Sequence, residues 1–512
     1  MNALVVLLLS TQVFAGGERE NRLRYLQTLG DVPLYPWGVR AFSAREMDGL
    51  TAGQPALSAA KGPDGRQLHW LPLVATASYN STFPYGYNDG PIWAGKGVTL
   101  AAEGGFALRR GVLSLTIAPV AFVAQNAAFP LMPNGASGDQ AYGDGSMGQI
   151  IDRPQRFGDK VYARLDPGQS TLRVDWRKLS AGVSTANQYW GPASAFPFVV
   201  GNNAAGFPHL FLGTARPVDL GILRIHGRLT WGRLEQSAFS AETTAAGARF
   251  ATGAIIDLTF DWLPGLELGI TRFAHQPWRR GGPTLDDWFT MFQASEQGLV
   301  TSNQLASVFF RWVLPRSGFE VYGEYGKDDY NSDGRAFLLE PDRFGGYMVG
   351  FRKAIRRAAG TSPICCPTRR FLAIRAELQN LQVSSLAQGG DWSPFYTHGT
   401  VRQGHTQRGQ VLGSEGGPGG AGSVLALESF SPGAHWTWAW TRMIRQQRGD
   451  QSGATTDPNG VDVQHAWSVE RVRVRGRYDV LTRVTAVYEL NRHYSYDAFN
   501  LNLIVGLRFS VR

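Results

Sequence analysis

The chain's last segment alternates almost residue by residue. Leu501, Leu503, Val505, Leu507, Phe509 and Val511 are apolar, and Asn502, Gly506, Arg508, Ser510 and Arg512 stand between them. A period of two gives an extended strand one apolar and one polar face. The run also has the length of a tilted membrane strand, about 9–11 residues. The segment before it repeats the pattern, with Val480, Val484, Ala486, Tyr488 and Leu490 against Arg483, Thr485, Glu489 and Asn491. Trp436, Trp438 and Trp440 share one face of a further strand, as expected beside lipid. Ile256, Leu258, Phe260 and Trp262 alternate with Asp257, Thr259 and Asp261, and Leu263-Pro264-Gly265 then turns the chain into Leu266, Leu268 and Ile270. Past residue 15 no apolar run approaches the roughly 18 residues of a spanning helix. Lipid cannot hydrogen-bond the backbone, so such a chain crosses a membrane only as a closed barrel.

Traced back from residue 511, strands are predicted near 499–511, 480–492, 464–478, 434–446, 423–431, 370–382, 345–356, 317–326, 303–313, 266–275, 249–262, 222–236, 207–214, 178–187, 159–176, 112–124, 97–109 and 68–80. The sum is eighteen, an even number as bacterial single-chain barrels have. Connections sort by parity. Those at 109–111, 176–178, 263–265, 314–318, 431–433 and 478–479 are short, whereas 125–157, 188–206, 276–302, 327–344, 383–422 and 447–463 are long. Short periplasmic turns and long external loops are the barrel asymmetry, which places the long loops outside. Mean hydropathy of −0.19 with 18% charged residues is too polar for a helical membrane protein and suits a wall of which every second residue meets lipid. The predicted class is all-β, a closed antiparallel transmembrane β-barrel over residues 67–512.

Residues 1–15 read as a secretory signal, apolar from Ala3 to Leu9 and ending Val13-Phe14-Ala15, although no Lys or Arg precedes the apolar stretch. Residues 16–66 read as a small periplasmic helical region. Leu23, Tyr25, Leu26 and Leu29 predict one short helix, and Ser43-Ala44-Arg45-Glu46 has the capping-box form that starts another.

The net charge of +9 fits acidic partners, namely an acidic surface polysaccharide or outer-membrane lipopolysaccharide; export argues against nucleic acid. The adjacent Cys365 and Cys366 are the only cysteines, which excludes a disulfide framework and any cysteine-rich metal site. Arg471, Arg473, Arg475 and Arg477 share one strand face; four lipid-facing arginines are costly, so they are expected to point inward. Glu320, Glu324, Arg375 and Glu377 are expected to join them there. Two readings stand, an internal ion-pair network that stiffens the lumen or a basic track for anionic substrate.

The long loops mix aromatic and ionic groups, the chemistry that stacks on sugar faces and binds hydroxyls. One carries Trp278, Arg279, Arg280, Asp286, Asp287 and Trp288. Another carries Asp328, Asp329, Tyr330 and Asp342, and the longest carries Trp392, Tyr396, His398, Arg402, His405 and Arg408. The bland alternative is girdle and loop packing. No metalloprotease helix motif, nucleophile elbow or metal-ligand spacing occurs, and Gly417–Gly422 fits a dinucleotide fingerprint only formally, since it precedes a strand. No cofactor, metal or catalytic residue is expected.

Gln188-Tyr189-Trp190-Gly191-Pro192 resembles the Gln-Trp-Trp-Gly-Pro segment of the capsule assembly protein Wzi family. Further matches follow in order: Asn203 to Pro208; Leu266-Glu267-Leu268-Gly269 with Thr271-Arg272; Asn303-Gln304-Leu305-Ala306; and Tyr396-Thr397-His398 through Gln403-Gly404-His405, Gln407-Arg408-Gly409 and Leu412-Gly413 to Gly422. The chain departs from that pattern in Tyr189 for the first tryptophan and in its ending, Phe509-Ser510-Val511-Arg512. The resemblance implies an eighteen-stranded outer-membrane barrel with a periplasmic helical portion that attaches exported capsular polysaccharide to the cell surface without catalysis. The glycan contacts, to an anionic polymer, would come from external loops and the upper lumen: Gln188, Tyr189, Trp190 and the aromatic and charged residues above. A porin or selective channel is the alternative, and an outer-membrane hydrolase a third. The expected partners include the barrel-assembly machinery during insertion, and the expected state is a monomer.

Overall fold

The computed structural model describes residues 12–50, 67–242, 247–293, 302–328, 334–339, 341–357, 370–383, 394–431, 433–447, 460–475 and 478–509. Cys365, Cys366, Trp392, Asp329, Tyr330, Arg477 and most of the expected signal lie outside them.

The described strands close into one antiparallel barrel of eighteen. In chain order they are β1 (Gln67–Asn80), β2 (Gly97–Arg110), β3 (Leu113–Ile117 continued by Val120–Ala124), β4 (Tyr162–Asp166 continued by Thr171–Trp176), β5 (Leu179–Ser184) and β6 (His209–Thr214). Then come β7 (Leu223–Glu235), β8 (Ala248–Phe260), β9 (Leu266–Pro277), β10 (Asn303–Leu314), β11 (Phe319–Asp328) and β12 (Gly345–Arg356). The wall ends with β13 (Phe371–Asn380), β14 (Ala421–Phe430), β15 (Ala434–Gln447), β16 (Val461–Val474), β17 (Tyr478–Arg492) and β18 (Tyr496–Phe509). Each predicted strand has its counterpart, with ends displaced by a few residues. Closure runs from Leu73 opposite Phe509 to Asn80 opposite Asn502. Pro72, which has no N–H to donate, sits where β1 slips register against β2.

Side-chain parity is clear on β18. Phe499, Leu501, Leu503, Val505, Leu507 and Phe509 face outward, while Asn500, Asn502 and Gly506 are buried on the lumen side. The same parity corrects one expectation. On β16 the even-numbered Asp462, Gln464, Ala466 and Val472 are buried inside, and Trp467 and Val469 are exposed outside. Arg471 and Arg473 therefore lie on the outer face, and Arg475 follows them at the exposed end of the strand. The guanidinium of Arg471 covers the Trp436 ring at 4.8 Å. Burial of Val472 against the luminal cavity decides the parity. The arginines sit in the last residues before a short turn, at headgroup depth, where the outward cost falls from about 2–4 to about 0–1 kcal/mol each.

Eighteen strands enclose more space than their own side chains fill, and two insertions occupy it. From the short-turn end comes the N-terminal segment, with helix α1 (Glu18–Thr28) and helix α2 (Ala44–Leu50). α1 is polar on nearly all sides yet buried, because the strands around it supply partners. Arg24 pairs with Glu320 at 2.5 Å, and Arg311 holds Glu320 at 2.9 Å and Glu267 at 3.3 Å. Tyr25 donates to Glu428 at 3.0 Å, and Arg375 pairs with the same carboxylate at 3.3 Å. The expected network thus exists for Glu320 and Arg375, but α1 supplies part of it and the β16 arginines do not.

From the opposite end the segment 187–207 descends into the barrel. The Glu377 carboxylate accepts three successive backbone N–H groups of that segment, from Ser194 (2.8 Å), Ala195 (2.9 Å) and Phe196 (2.7 Å), and the Tyr322 hydroxyl at 2.9 Å. Trp190, Phe198, Val199 and Phe207 pack with Ile255, Phe273, Leu305 and Phe309 of the wall and with Tyr396 and Leu412 of the longest loop. Mid-lumen the two insertions meet: Val39 pairs with Trp190 and Arg40 with Tyr189 in a short antiparallel ladder. Gly191 passes there at φ +79°, where a Cβ would lie 2.4 Å from the Glu324 carboxylate, so no side chain fits.

The predicted capping box forms. Ser43 N–H donates to Glu46 at 2.8 Å and Glu46 N–H donates to the Ser43 hydroxyl at 3.3 Å. Burial pushes the Glu46 carboxyl up, but His226 at 3.2 Å and Arg173 at 3.8 Å outweigh it and hold the group at about 2. This depressed value stabilises the fold above pH 4.5, on the order of 3 kcal/mol, and the contribution fades as pH falls from 4.5 towards 2. Glu46→Gln is expected to speed amide exchange of residues 43–50 about tenfold or more at neutral pH and to abolish the additional opening of wild type across that acid range. Exchange by mass spectrometry, corrected for intrinsic rates, checks both.

Candidate functional site

The glycan-contact residues expected from sequence divide into two groups, one within the barrel and its loops and one on the outer wall. Gln188, Tyr189 and Trp190 are buried in the plug; Gln188 bonds His209 at 2.9 Å and Tyr189 lies under the Arg40 guanidinium at 3.7 Å. Tyr396 and His405 stack at 5.4 Å within the same packing, and the Tyr396 hydroxyl donates to the Phe198 carbonyl. Burial pushes His405 down to about 3 and His398 down to about 4. Both are neutral at physiological pH, and His398 Nδ1 accepts the Val401 N–H at 2.8 Å. Arg402 donates to the Gln149 carbonyl at 3.0 Å, and Arg408 pairs with Asp166 (2.9 Å) and Glu235 (2.7 Å). These contacts tie the residues into the plug and its loops, with Arg402 and Arg408 half-buried at its edge. Trp278, Arg279, Arg280, Asp286, Asp287 and Trp288 lie on the outer wall.

An open site sits among the loops at the long-loop end, a cleft of about 150 Å³. None of the sequence candidates lines it, although Gly409, Gln410 and Val411 immediately after Arg408 do. Its aromatic wall comes from Tyr85, Tyr87, Trp93 and Tyr494. Tyr85 and Tyr87 meet edge to face at 4.9 Å, the Tyr87 hydroxyl donates to Gln464, and Trp93 is braced by Phe157 at 4.9 Å. These rings belong mostly to the segment between β1 and β2, which folds back into the barrel. The signal in sequence was Tyr85-Gly86-Tyr87-Asn88-Asp89 in a connection of sixteen residues (81–96), absent from the long loops singled out above.

Three arginines line the cleft, Arg153, Arg445 and Arg492, with five carboxylates, Asp89, Asp144, Glu415, Asp462 and Glu489. The arginines are already paired: Arg153 with Asp144 at 2.7 Å, Arg492 with Glu489 at 2.7 Å and Arg445 with Glu415 at 3.5 Å. Burial pushes the Asp89 carboxyl up to about 6 against the pull of Arg483. Asp144 is held low, since Arg153 and the backbone N–H groups of Ser146 and Met147 outweigh its burial. The cleft is a polar, ring-walled surface rich in acceptors rather than an anion sink. Among the described residues no group of His, Cys, Asp and Glu is arranged to hold a metal ion.

The family model of the capsule assembly protein Wzi matches residues 94–495. The chain belongs to this family. Among solved structures it is similar to Wzi of Escherichia coli, described as an outer-membrane protein involved in group 1 capsule assembly and a carbohydrate-binding β-barrel. That match covers 98% of this chain and all of the other at 13% identity with a TM-score of 0.63, which establishes the shared fold. OpdL of Pseudomonas aeruginosa matches at 10% identity over 87% of this chain and 99% of its own, with a TM-score of 0.41. No curated protein sequence matches the chain.

Arg153 also donates to the Gly417 carbonyl at 2.9 Å, tying the Asp144 turn to the longest loop. Arg153→Ala is expected to release both sides of the cleft together. Limited proteolysis should then cut near 144–150 and near 413–420 at about tenfold lower protease, with the strands intact; release of one side alone would show that Arg153 is no clamp.

Proposed function

We propose that the protein binds exported polysaccharide at the cleft and holds it at the cell surface without catalysis. The carrying observation is the cleft itself, with four aromatic rings beside fixed carboxylates and amides at the end of a plugged barrel. Family membership supports the reading, as does the carbohydrate binding described for the E. coli protein. Rings offer apolar faces to sugar C–H groups, and carboxylates accept sugar hydroxyls. With more carboxylates than arginines, the cleft suits the neutral rings of a polymer, even one that carries acidic groups elsewhere. In this reading the long-loop end faces outside, a signal peptide exports the chain, and the barrel-assembly machinery inserts it as a monomer.

The test is retention of the producing strain's own polysaccharide on detergent-solubilised protein. Wild type should retain it, and Tyr85→Ala and Trp93→Ala should each weaken retention about tenfold, near 1.4 kcal/mol, while heat-modifiable migration confirms the barrel. No retention by folded wild type would defeat the proposal.

One observation favours a channel as the second reading. Inside the barrel, along β14–β18 and β1, lies a further cavity of about 480 Å³, lined by Thr76, Thr437, Ser468 and Thr485 among others. Tyr85, Gly86, Tyr87 and Asp89 line both spaces and form the partition between them. With that partition in place, planar bilayers should show little current, and deletion of Gly86–Asn88 should raise it severalfold. Large steady current through wild type would favour the channel.

A further inference from the structure

The residues after β9 form a built feature on the outside of the wall. Trp231 of β7 and Phe250 of β8 face outward, since Thr230, Arg249 and Ala251 beside them are buried in the lumen. Trp288 lies 5.6 Å from Trp231 and 5.7 Å from Phe250, and Trp278 meets Phe250 edge-on at 5.7 Å. The Trp231 indole N–H donates to the Trp288 carbonyl at 2.9 Å. Asp287 braces the segment from within, accepting the Thr284 N–H and the Gln276 amide, both at 2.6 Å. A single-stretch 3₁₀ helix, Asp286–Phe292, is thereby held flat against the wall.

What this ledge presents is unusual for a loop in water. Leu285 is 76% exposed, Phe292 58% and Phe289 50%. They extend the apolar outer surface on which Ile270 and Val308 pair across β9 and β10. Three guanidinium groups accompany them. Arg279 and Arg280 are exposed, and Arg233 stands 5.7 Å from the Trp278 ring. Arg279 also reaches Asp287 at 3.4 Å, and Asp286 is the one exposed carboxylate in the described part of the segment. Apolar side chains next to a row of arginines at a membrane edge fit an anionic amphiphile, since guanidinium binds phosphate in a bidentate way.

We propose that the ledge holds lipid A, the phosphorylated, multiply acylated glucosamine disaccharide of lipopolysaccharide. Its acyl chains lie against Leu285, Phe289 and Phe292, and a phosphate meets Arg233, Arg279 and Arg280. The choice of lipid A rests on the reading above that the long loops face outside, where the outer leaflet carries this lipid. Its rigid sugar core brings phosphate and several acyl chains to one place, matching three arginines beside three apolar side chains. The net charge of +9 thereby finds a partner on the outer wall rather than inside the barrel.

The experiment is native mass spectrometry of the detergent-solubilised protein with diphosphoryl lipid A or phosphatidylglycerol at equal concentration. Wild type should retain one lipid A in preference to the phospholipid. Arg279→Gln with Arg280→Gln should lower retained lipid A about fivefold or more, and Phe289→Ser with Phe292→Ser should lower it similarly. Arg473→Gln with Arg475→Gln, at the other end of the wall, should leave it unchanged. Equal retention of the two lipids by wild type, or unaltered lipid A on the Arg279/Arg280 variant, overturns the proposal. Retention in detergent does not depend on orientation, which is read separately by labelling of Gly281→Cys in intact cells. Labelling only after the outer membrane is opened would sink the orientation, and with it the assignment of the site to the outer leaflet.

Discussion

In lipid every backbone N–H and C=O must find a partner within the protein, and everything else in this molecule answers to that demand. The first and last strands meet over Leu73–Asn80 and Asn502–Phe509, and closure at eighteen strands leaves a lumen that wall side chains cannot fill. The chain fills it with its own N-terminal segment from one end and with 187–207 and the longest loop from the other. The ion pair of Arg24 and the hydrogen bond donated by Tyr25, both of α1, hold the first insertion. Backbone donors converging on Glu377 hold the second. Breaking one partner of such a buried arrangement costs far more than forming the pair ever gained, so both insertions are locked by the penalty of leaving.

The strands were legible because lipid and lumen impose opposite solvents on alternate residues. The capping box at Ser43–Glu46 was legible for a similar reason, since its hydrogen bonds are local. The loops were not. Tyr189, Trp190 and Tyr396 have the composition of a sugar-stacking surface, but nothing in their neighbours tells an aromatic ring in a loop whether it will face solvent or a plug. Tyr85 and Trp93, which do line the open cleft, lie in a connection of modest length after β1. The Arg471–Arg475 ladder misled for a different reason. A lipid-facing arginine costs little at the rim, and the buried residue on the same strand, Val472, faces a luminal cavity rather than lipid. Depth along the strand decides such cases, and period-two patterning carries no depth.

The filling is uneven. Apolar packing concentrates along β7–β13, where Ile255, Phe273, Leu305 and Phe309 contact the inserted loops, while β14–β18 and β1 face open space. The cleft and this space share the Tyr85–Asp89 partition, so the proposed binding at the surface and any passage through the barrel would depend on the same few residues. The edge-to-face tyrosines and the Tyr87–Gln464 bond hold that partition together.

The outward arginines at the short-turn end have a mechanical consequence. Arg471 on the Trp436 ring, with Arg473 and Arg475 beyond it, prefers the plane of phosphate groups and resists movement into hydrocarbon on one side or water on the other. A row of that kind works as a draught mark on a hull. It sets how deep the barrel floats, and therefore how far above the bilayer the opposite rim stands. In a membrane of different thickness the lipid would have to thin or thicken around the barrel, because the waterline is fixed by the protein.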